Sequence, residues 1–212
     1  MARIAIVTGG ARGIGRGCAH ALAEKGFDIA LVDLLEPEME RTAGEIRAMG
    51  RRASIHVADV ADFARAAEIV AAVERDWGGV DFLLNNAGKS MPKPMLEITE
   101  EEFDRTIAIN LKSCFNFIHA AAPGMKRRGA GRIASMSSLN AHNGGVTSAV
   151  SKFAYAAAKA GIIGMTRALA KELGPEIAIN CICPGVIKTE LGNSLTRARE
   201  PELIKGIALG RL

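Results

Sequence analysis

Tyr155 and Lys159 stand four positions apart in the stretch Phe153-Ala-Tyr-Ala-Ala-Ala-Lys-Ala-Gly161. Its alanine-rich composition favours helix, and in a helix side chains at i and i+4 share a face, so an ammonium is set beside a phenol. A free tyrosine titrates near ~10, and two unit charges roughly 4 Å apart at an effective dielectric of about 20 interact by about 4 kcal/mol, or roughly three pKa units. Such a phenol can exchange a proton near neutral pH. A packed ring and a solvated cation on one helix would show the same spacing, so its weight rests on the segments around it.

The elements that would position this pair begin near the other end of the chain. The apolar run Ile4-Ala-Ile-Val7 meets Thr8-Gly-Gly-Ala-Arg-Gly-Ile-Gly15 and then the helical pattern Cys18-Ala-His-Ala-Leu-Ala-Glu24. Glycines at 9, 13 and 15 let backbone N–H groups approach a pyrophosphate, which the partial positive charge of the helix N-terminus also favours. A second strand, Asp28-Ile-Ala-Leu-Val-Asp33, brings an acid about twenty residues past the loop, as a ribose-binding carboxylate requires. The competing reading is a tight βα connection that uses glycine only for packing.

Apolar runs at 4–7, 29–32, 54–57, 80–84, 132–136 and 177–182 are short, and several are rich in Val and Ile, as strands buried on both faces should be. Helical patterns at 13–25, 37–49, 62–77, 100–127 and 152–173 separate them. The alternation predicts an α/β fold, a doubly wound parallel sheet with helices on both faces. With 212 residues, 49% hydrophobic content and no Pro/Gly-rich linker, residues 1–212 are expected to form one domain.

Composition mostly excludes. Few residues precede the glycine loop and no apolar run approaches a membrane span, so a cytoplasmic protein with no membrane partner is expected. Cysteines 18, 114, 181 and 183 form no C-x-x-C pair and no histidine stands at metal-ligand spacing, so buried free thiols and no metal are expected. The net charge of +4 suits an acidic cofactor or carrier and is no nucleic-acid signature. Arg51-Arg52 and Arg127-Arg128 read as solvated helix ends.

These motifs together resemble the short-chain dehydrogenase/reductase family, from Arg3 to Leu212. Thr8-Gly9-x-x-x-Gly13-x-Gly15 is similar to its cofactor loop, Asn85-Asn-Ala-Gly88 to its fourth-strand signature, and Asn110 falls at its catalytic asparagine. Ser137-Ser138 resembles the serine strand, with Ser138 as the catalytic member, and Pro184-Gly185 with Thr189 resembles the loop over the nicotinamide. The resemblance implies a Rossmann fold with Asn110, Ser138, Tyr155 and Lys159 as catalytic residues. It implies cofactor contacts from Thr8, Gly9, Arg12, Gly13, Ile14, Gly15, Asp33, Asp59, Val60, Asn86, Ala87, Gly88, Tyr155, Lys159, Pro184, Gly185 and Thr189. Asp59 reads equally as an N-cap before 62–77.

In the implied reaction Ser138 holds the substrate oxygen, Tyr155 exchanges its proton, Lys159 lowers the tyrosine pKa while binding the nicotinamide ribose, and Asn110 binds a water that relays protons. NAD is expected over NADP. Asp33 accepts the ribose hydroxyls and repels a 2′-phosphate in a partly desolvated setting, whereas Arg12, which would attract that phosphate, can swing into water. The family group most similar is the 3-oxoacyl-carrier-protein reductases, which implies hydride transfer to a 3-oxoacyl thioester. Sugar or polyol oxidation is the alternative substrate reading, and a dinucleotide-binding regulator without turnover is the alternative class.

Two departures accompany the resemblance. The segment from Leu139 to Ala154 is a few residues longer than usual, which alters the substrate wall: His142 and Asn143 become candidate polar contacts or solvated loop residues, and Ser148 and Ser151 become fallback hydroxyl partners. The chain also ends at Gly210-Arg-Leu212, where family members continue through another helix and a final strand, so the edge beside 177–182 is expected to be unpaired. A homo-oligomer, dimer or tetramer, is expected through helices 100–127 and 152–173. Pro92, Pro94 and 190–205 are expected to form a mobile rim.

Overall fold

The computed structural model describes residues 2–145, 151–189, 200–205 and 207–211. The apolar runs become strands β1 (Arg3–Thr8), β2 (Phe27–Asp33), β3 (Ala53–Val57), β4 (Phe82–Asn85), β5 (Gly131–Met136) and β6 (Ile177–Ile182). All pair in parallel, in the order β3-β2-β1-β4-β5-β6. Parallel neighbours need crossover connections, and helices supply them. These are α1 (Gly13–Glu24), α2 (Glu36–Ala48), α3 (Phe63–Trp77), α4 (Glu100–Ile107), α5 (Ser113–Arg128), α6 (Asn140–Asn143) and α7 (Phe153–Leu173), and α8 (Glu200–Lys205) follows β6. No helix among the described residues is long and apolar enough to cross a membrane.

Strand alternation divides the apolar residues between two cores. Ile4 and Ile6 of β1 with Ala30 and Val32 of β2 pack toward α3, α5 and α7, while Ala5, Val7, Ile29 and Leu31 pack toward α1 and α2. Strand order reverses between β1 and β4, which opens a crevice at their carboxyl ends, where ligands of such sheets bind.

The stretch 100–127, expected as one helix, is helical throughout but widens in its middle. Thr99 opens α4 with a capping box: its hydroxyl accepts from Glu102 N–H and the Glu102 carboxylate accepts from Thr99 N–H. The ladder then widens into a π-turn over Ala108–Lys112 before α5. Hydroxyls of Thr106 and Ser113 and the amide of Asn110 all donate to carbonyls four residues back, the kind of side-chain competition that loosens a helix. The cysteines are free, but only Cys114 is fully buried; Cys18, Cys181 and Cys183 are half-buried.

Arg51 and Arg52, expected as solvated, hold a buried acid. Asp28 of β2 has a side chain only 4% exposed; Arg51 Nη2 donates to it at 2.7 Å, Arg52 Nε at 2.6 Å and Arg52 N–H at 3.0 Å. The Arg52 guanidinium also lies 4.9 Å over the Trp77 ring. Arg127 and Arg128 likewise pair with Glu74, and Arg128 donates to the Val80 carbonyl. A carboxylate buried in a strand must find donors, and the α2–β3 connection provides them.

Burial alone would raise the Asp28 carboxyl, but the hydrogen bonds from Arg52 and the charges of both arginines hold it below the usual range. Its stabilisation is therefore complete above the ordinary aspartate value, about 4, and is lost as pH falls through the depressed folded value. Asp28→Ala should cost about 3–5 kcal/mol in urea unfolding at neutral pH. Asp28→Asn should flatten the acid limb of stability, and an unchanged limb would assign that limb to other carboxylates.

Candidate active site

The crevice is a cleft of about 520 Å³ over the ends of β1 to β4. Gly9 forms its first turn with φ +65°, and a Cβ there would lie 2.8 Å from Ala87 Cα. Gly15 sets α1 against the turn, since a Cβ would stand 1.9 Å from the Gly9 carbonyl oxygen. Thr8 is buried: its hydroxyl accepts from the N–H groups of Asn86 and Ala87, tying β1 to β4. Of the sequence-predicted cofactor residues, Thr8 and Gly15 build the cleft from behind. Gly9, Arg12, Gly13, Ile14, Asp33, Asp59, Val60, Asn86, Ala87, Gly88 and Thr189 line it.

Asp33 is held in place by backbone. Its carboxylate accepts from the N–H groups of Ala11 at 3.2 Å, Leu34 at 2.8 Å and Leu35 at 3.3 Å. Asp59 does not cap α3; Asp62 does, accepting from Arg65 N–H, because it is the residue next to the helix start. Asp59 instead accepts from Ala61 N–H and from Arg105 of α4. Burial raises its carboxyl, yet the Ala61 N–H and Arg105 outweigh burial and hold it below the usual range.

A second cleft of about 210 Å³ shares Ile14, Asn86, Gly88 and Lys89 with the first. It brings together Ser138, Tyr155 and Lys159, with Ser151, Pro184 and Gly185 on its walls. Ser138 follows β5, and its hydroxyl is hydrogen-bonded to Tyr155 and accepts from Asn140 N–H. Lys159 stands on the tyrosine's helix face, 3% exposed, with Nζ 5.6 Å from the Tyr155 ring centroid. Its Nζ donates to the Met136 carbonyl at 2.7 Å, and its own carbonyl accepts from the Ser137 hydroxyl at 2.7 Å. Consecutive residues at the end of β5 therefore hold the lysine at both ends.

The electrostatics of this site differ from the expected lysine-lowered phenol. Burial pushes the Tyr155 phenol up, and the Ser138 hydrogen bond offsets only part of it. Burial pulls the Lys159 ammonium down, with a small opposing effect from Cys114. Desolvation penalises both charged forms, and it wins here because the ammonium is turned onto a backbone carbonyl.

Asn110 is fully buried beneath the same site. Its amide donates to the carbonyls of Lys89 at 2.9 Å and Thr106 at 3.0 Å, and its oxygen accepts from Lys89 N–H at 3.1 Å. A Cβ on Gly88 would stand 2.9 Å from Asn110 Oδ1 and 3.4 Å from Lys159 Nζ, so asparagine and lysine pack against one glycine. The side chain of Asn110 thus pins the chain leaving β4, with both amide donors spent on protein carbonyls.

His142 and Asn143 lie exposed on α6 and do not line the cleft. Ser148 and residues 190–199 of the expected rim lie outside the described residues. The sequence reading missed Lys89 and Arg105. Lys89 directly follows the Asn85-Asn-Ala-Gly88 signature, and Arg105 precedes Ile109 at helical spacing, but nothing in the chain signals that Arg105 meets Asp59.

Comparison with known proteins agrees with this geometry. The model of the short chain dehydrogenase family matches residues 3–200. The chain is 36% identical over 214 residues to the acetoacetyl-CoA reductase of Rhizobium meliloti, covering 100% of this chain and 86% of that protein. It is 36% identical over 219 residues to oxidoreductase UcpA of Salmonella typhimurium, covering 99% and 82%. An actinorhodin polyketide ketoreductase variant solved with NADPH superposes with a TM-score of 0.91 at 28% identity, over 99% of this chain and 84% of that one. With a parallel six-stranded sheet ordered around its crevice and a family match over nearly its whole length, this chain belongs to the short chain dehydrogenase family and is an oxidoreductase.

Proposed function

We propose that this oxidoreductase reduces the ketone of a 3-oxoacyl thioester, with a nicotinamide dinucleotide held in the larger cleft. The observation that carries the reading is the Ser138–Tyr155 hydroxyl pair, standing in a cleft that shares its wall with the glycine-lined one. A buried phenol raised above its ordinary range is protonated at neutral pH, the form that donates to an oxygen gaining negative charge. Acetoacetyl-CoA, named in one relative, is itself a 3-oxoacyl thioester, which supports this substrate class over polyols.

The residues present fit such a cofactor: a glycine turn that a Cβ would obstruct, an oriented carboxylate at the end of β2, and apolar walls at Leu34, Val60 and Ile109. Bound there, a nicotinamide ring supplies the hydride. Ser138 hydrogen-bonds the substrate oxygen and Tyr155 delivers its proton to that oxygen. Lys159, fixed by Met136 and Ser137, stands one turn away to stabilise the phenolate that remains. Asn110 keeps the Lys89 peptide, and with it Gly88, in place against Lys159. Asp33 favours NAD, because a carboxylate already aimed by three N–H groups accepts hydroxyls and repels phosphate. The exposed Arg12 in the same cleft, and the NADPH of the polyketide ketoreductase, keep NADP as the second reading.

The reading extends to self-association. Phe115 on α5 is 44% exposed and stacks on Phe63 with centroids 5.8 Å apart, beside a groove of about 350 Å³ between α5 and α7. An open apolar face, aromatic at Phe63 of α3 and Phe115 of α5 and continued by Leu169 and Leu173 of α7, supports pairing with a second copy there.

In fluorescence titrations NADH should bind at least about tenfold more tightly than NADPH, and Asp33→Ser should remove that preference. NADH oxidation with a short 3-oxoacyl thioester, and none with a polyol panel run in reverse, is the expected turnover; the opposite pattern would sink the substrate reading. Tyr155→Phe should lower turnover by about 100- to 10,000-fold while dinucleotide affinity holds, and equal loss of both would contradict the division of roles. Because the chain has a single tyrosine, its phenolate absorbance reports Tyr155 alone. In the folded, ligand-free protein that absorbance should rise only above the ordinary value of about 10, and at about 10 after denaturation. An earlier rise would mean that the Lys159 charge outweighs burial.

A further inference from the structure

The far end of the larger cleft holds an ion pair that the reaction above does not use. In sheets of this order the glycine turn after β1 takes the pyrophosphate and the acid ending β2 takes the ribose. The base of that nucleotide half therefore lies beyond Asp33, toward the carboxyl end of β3. Leu34, Ala58, Val60 and Ile109 line that end, and Leu34 is 60% exposed, a large apolar side chain left open to the cleft. The polar members there are Asp59 and Arg105.

Asp59 has two anchors. Ala61 N–H donates to Oδ1 at 3.0 Å, from two residues away, and Arg105 Nη2 donates to Oδ2 at 2.5 Å, from α4. Arg105 also lines a side cavity of about 360 Å³ next to the cleft, so its guanidinium belongs to the wall between the two spaces. An ionised carboxylate only accepts, and its two oxygens have lone pairs to spare beyond these two bonds. Without Arg105, one local backbone contact would be left to orient it.

We propose that Arg105 is a positioning residue for base recognition: its ion pair aims the spare acceptors of Asp59 at an exocyclic purine amine, so that the cleft selects an adenine over a hypoxanthine dinucleotide. An amine donates to a fixed carboxylate, whereas a ring carbonyl in the same place faces it with like partial charge. With Oδ1 held by Ala61 N–H and Oδ2 by one Arg105 N–H, the carboxylate is tied at both oxygens, whereas a methionine at 105 would leave it tied at one. The inference rests on the dinucleotide reading of the cleft.

The test is fluorescence titration of the native chain and its variants with NADH, with the hypoxanthine analogue of NADH, and with reduced nicotinamide mononucleotide, which lacks the base. Native protein should prefer NADH over the hypoxanthine analogue by about tenfold, one charge-assisted hydrogen bond. Arg105→Met should bring that ratio within about threefold without changing mononucleotide affinity, and Arg105→Lys should restore part of it. A ratio unchanged in Arg105→Met, or an equal loss for all three ligands, overturns the inference while the dinucleotide reading stands. Failure of the native chain to bind NADH overturns that reading and the inference with it.

Discussion

Thr8 ends β1 with a hydroxyl that turns inward and accepts from two successive N–H groups of the chain leaving β4, and Asn86 returns its amide to the carbonyls of Thr8 and Gly9. This knot lies where the strand order reverses, the one place in the sheet where adjacent strands send their connections to opposite faces. The glycine turn, the cleft floor at Ala87–Gly88 and the approach of α1 all follow from it. Backbone must come within contact distance there, and glycine is the residue whose missing Cβ allows it.

The reactive end is built from desolvation. Tyr155 and Lys159 are both carried on α7 into a region lined by hydroxyls and backbone, and the described residues lining that cleft include no carboxylate. Each pays for burial through its titration, the phenol upward and the ammonium downward. The phenol keeps its proton at neutral pH, and the lysine Nζ rests on the Met136 carbonyl.

The π-turn at Ala108–Lys112 connects these two regions. Asn110 within it reaches across to both the N–H and the carbonyl of Lys89, and so fixes the segment leaving β4 that floors both clefts. One turn earlier, Arg105 of α4 reaches the Asp59 end of the larger cleft. A single helical stretch with one extra residue per turn thus addresses the two ends of the crevice.

Periodicity and glycine spacing alone determined the strands, the crossover helices and the face shared by Tyr155 and Lys159, because these depend on contacts within a few residues. The family motifs placed Ser138 beside the tyrosine although 17 positions separate them in the chain. The hold of Arg51 and Arg52 on Asp28 was not legible, since an arginine's partner is decided by which strand or helix folds beneath it, whereas Arg127 and Arg128 do stand exposed at the end of α5 as their place in the chain implies. The π-turn within 100–127, the commitment of Asn110 to the Lys89 peptide, the pairing of Asp59 with Arg105 and the sign of the Tyr155 shift were decided only in three dimensions. Each depends on burial and on groups distant in the chain, and neither quantity exists until the sheet has brought the segments together.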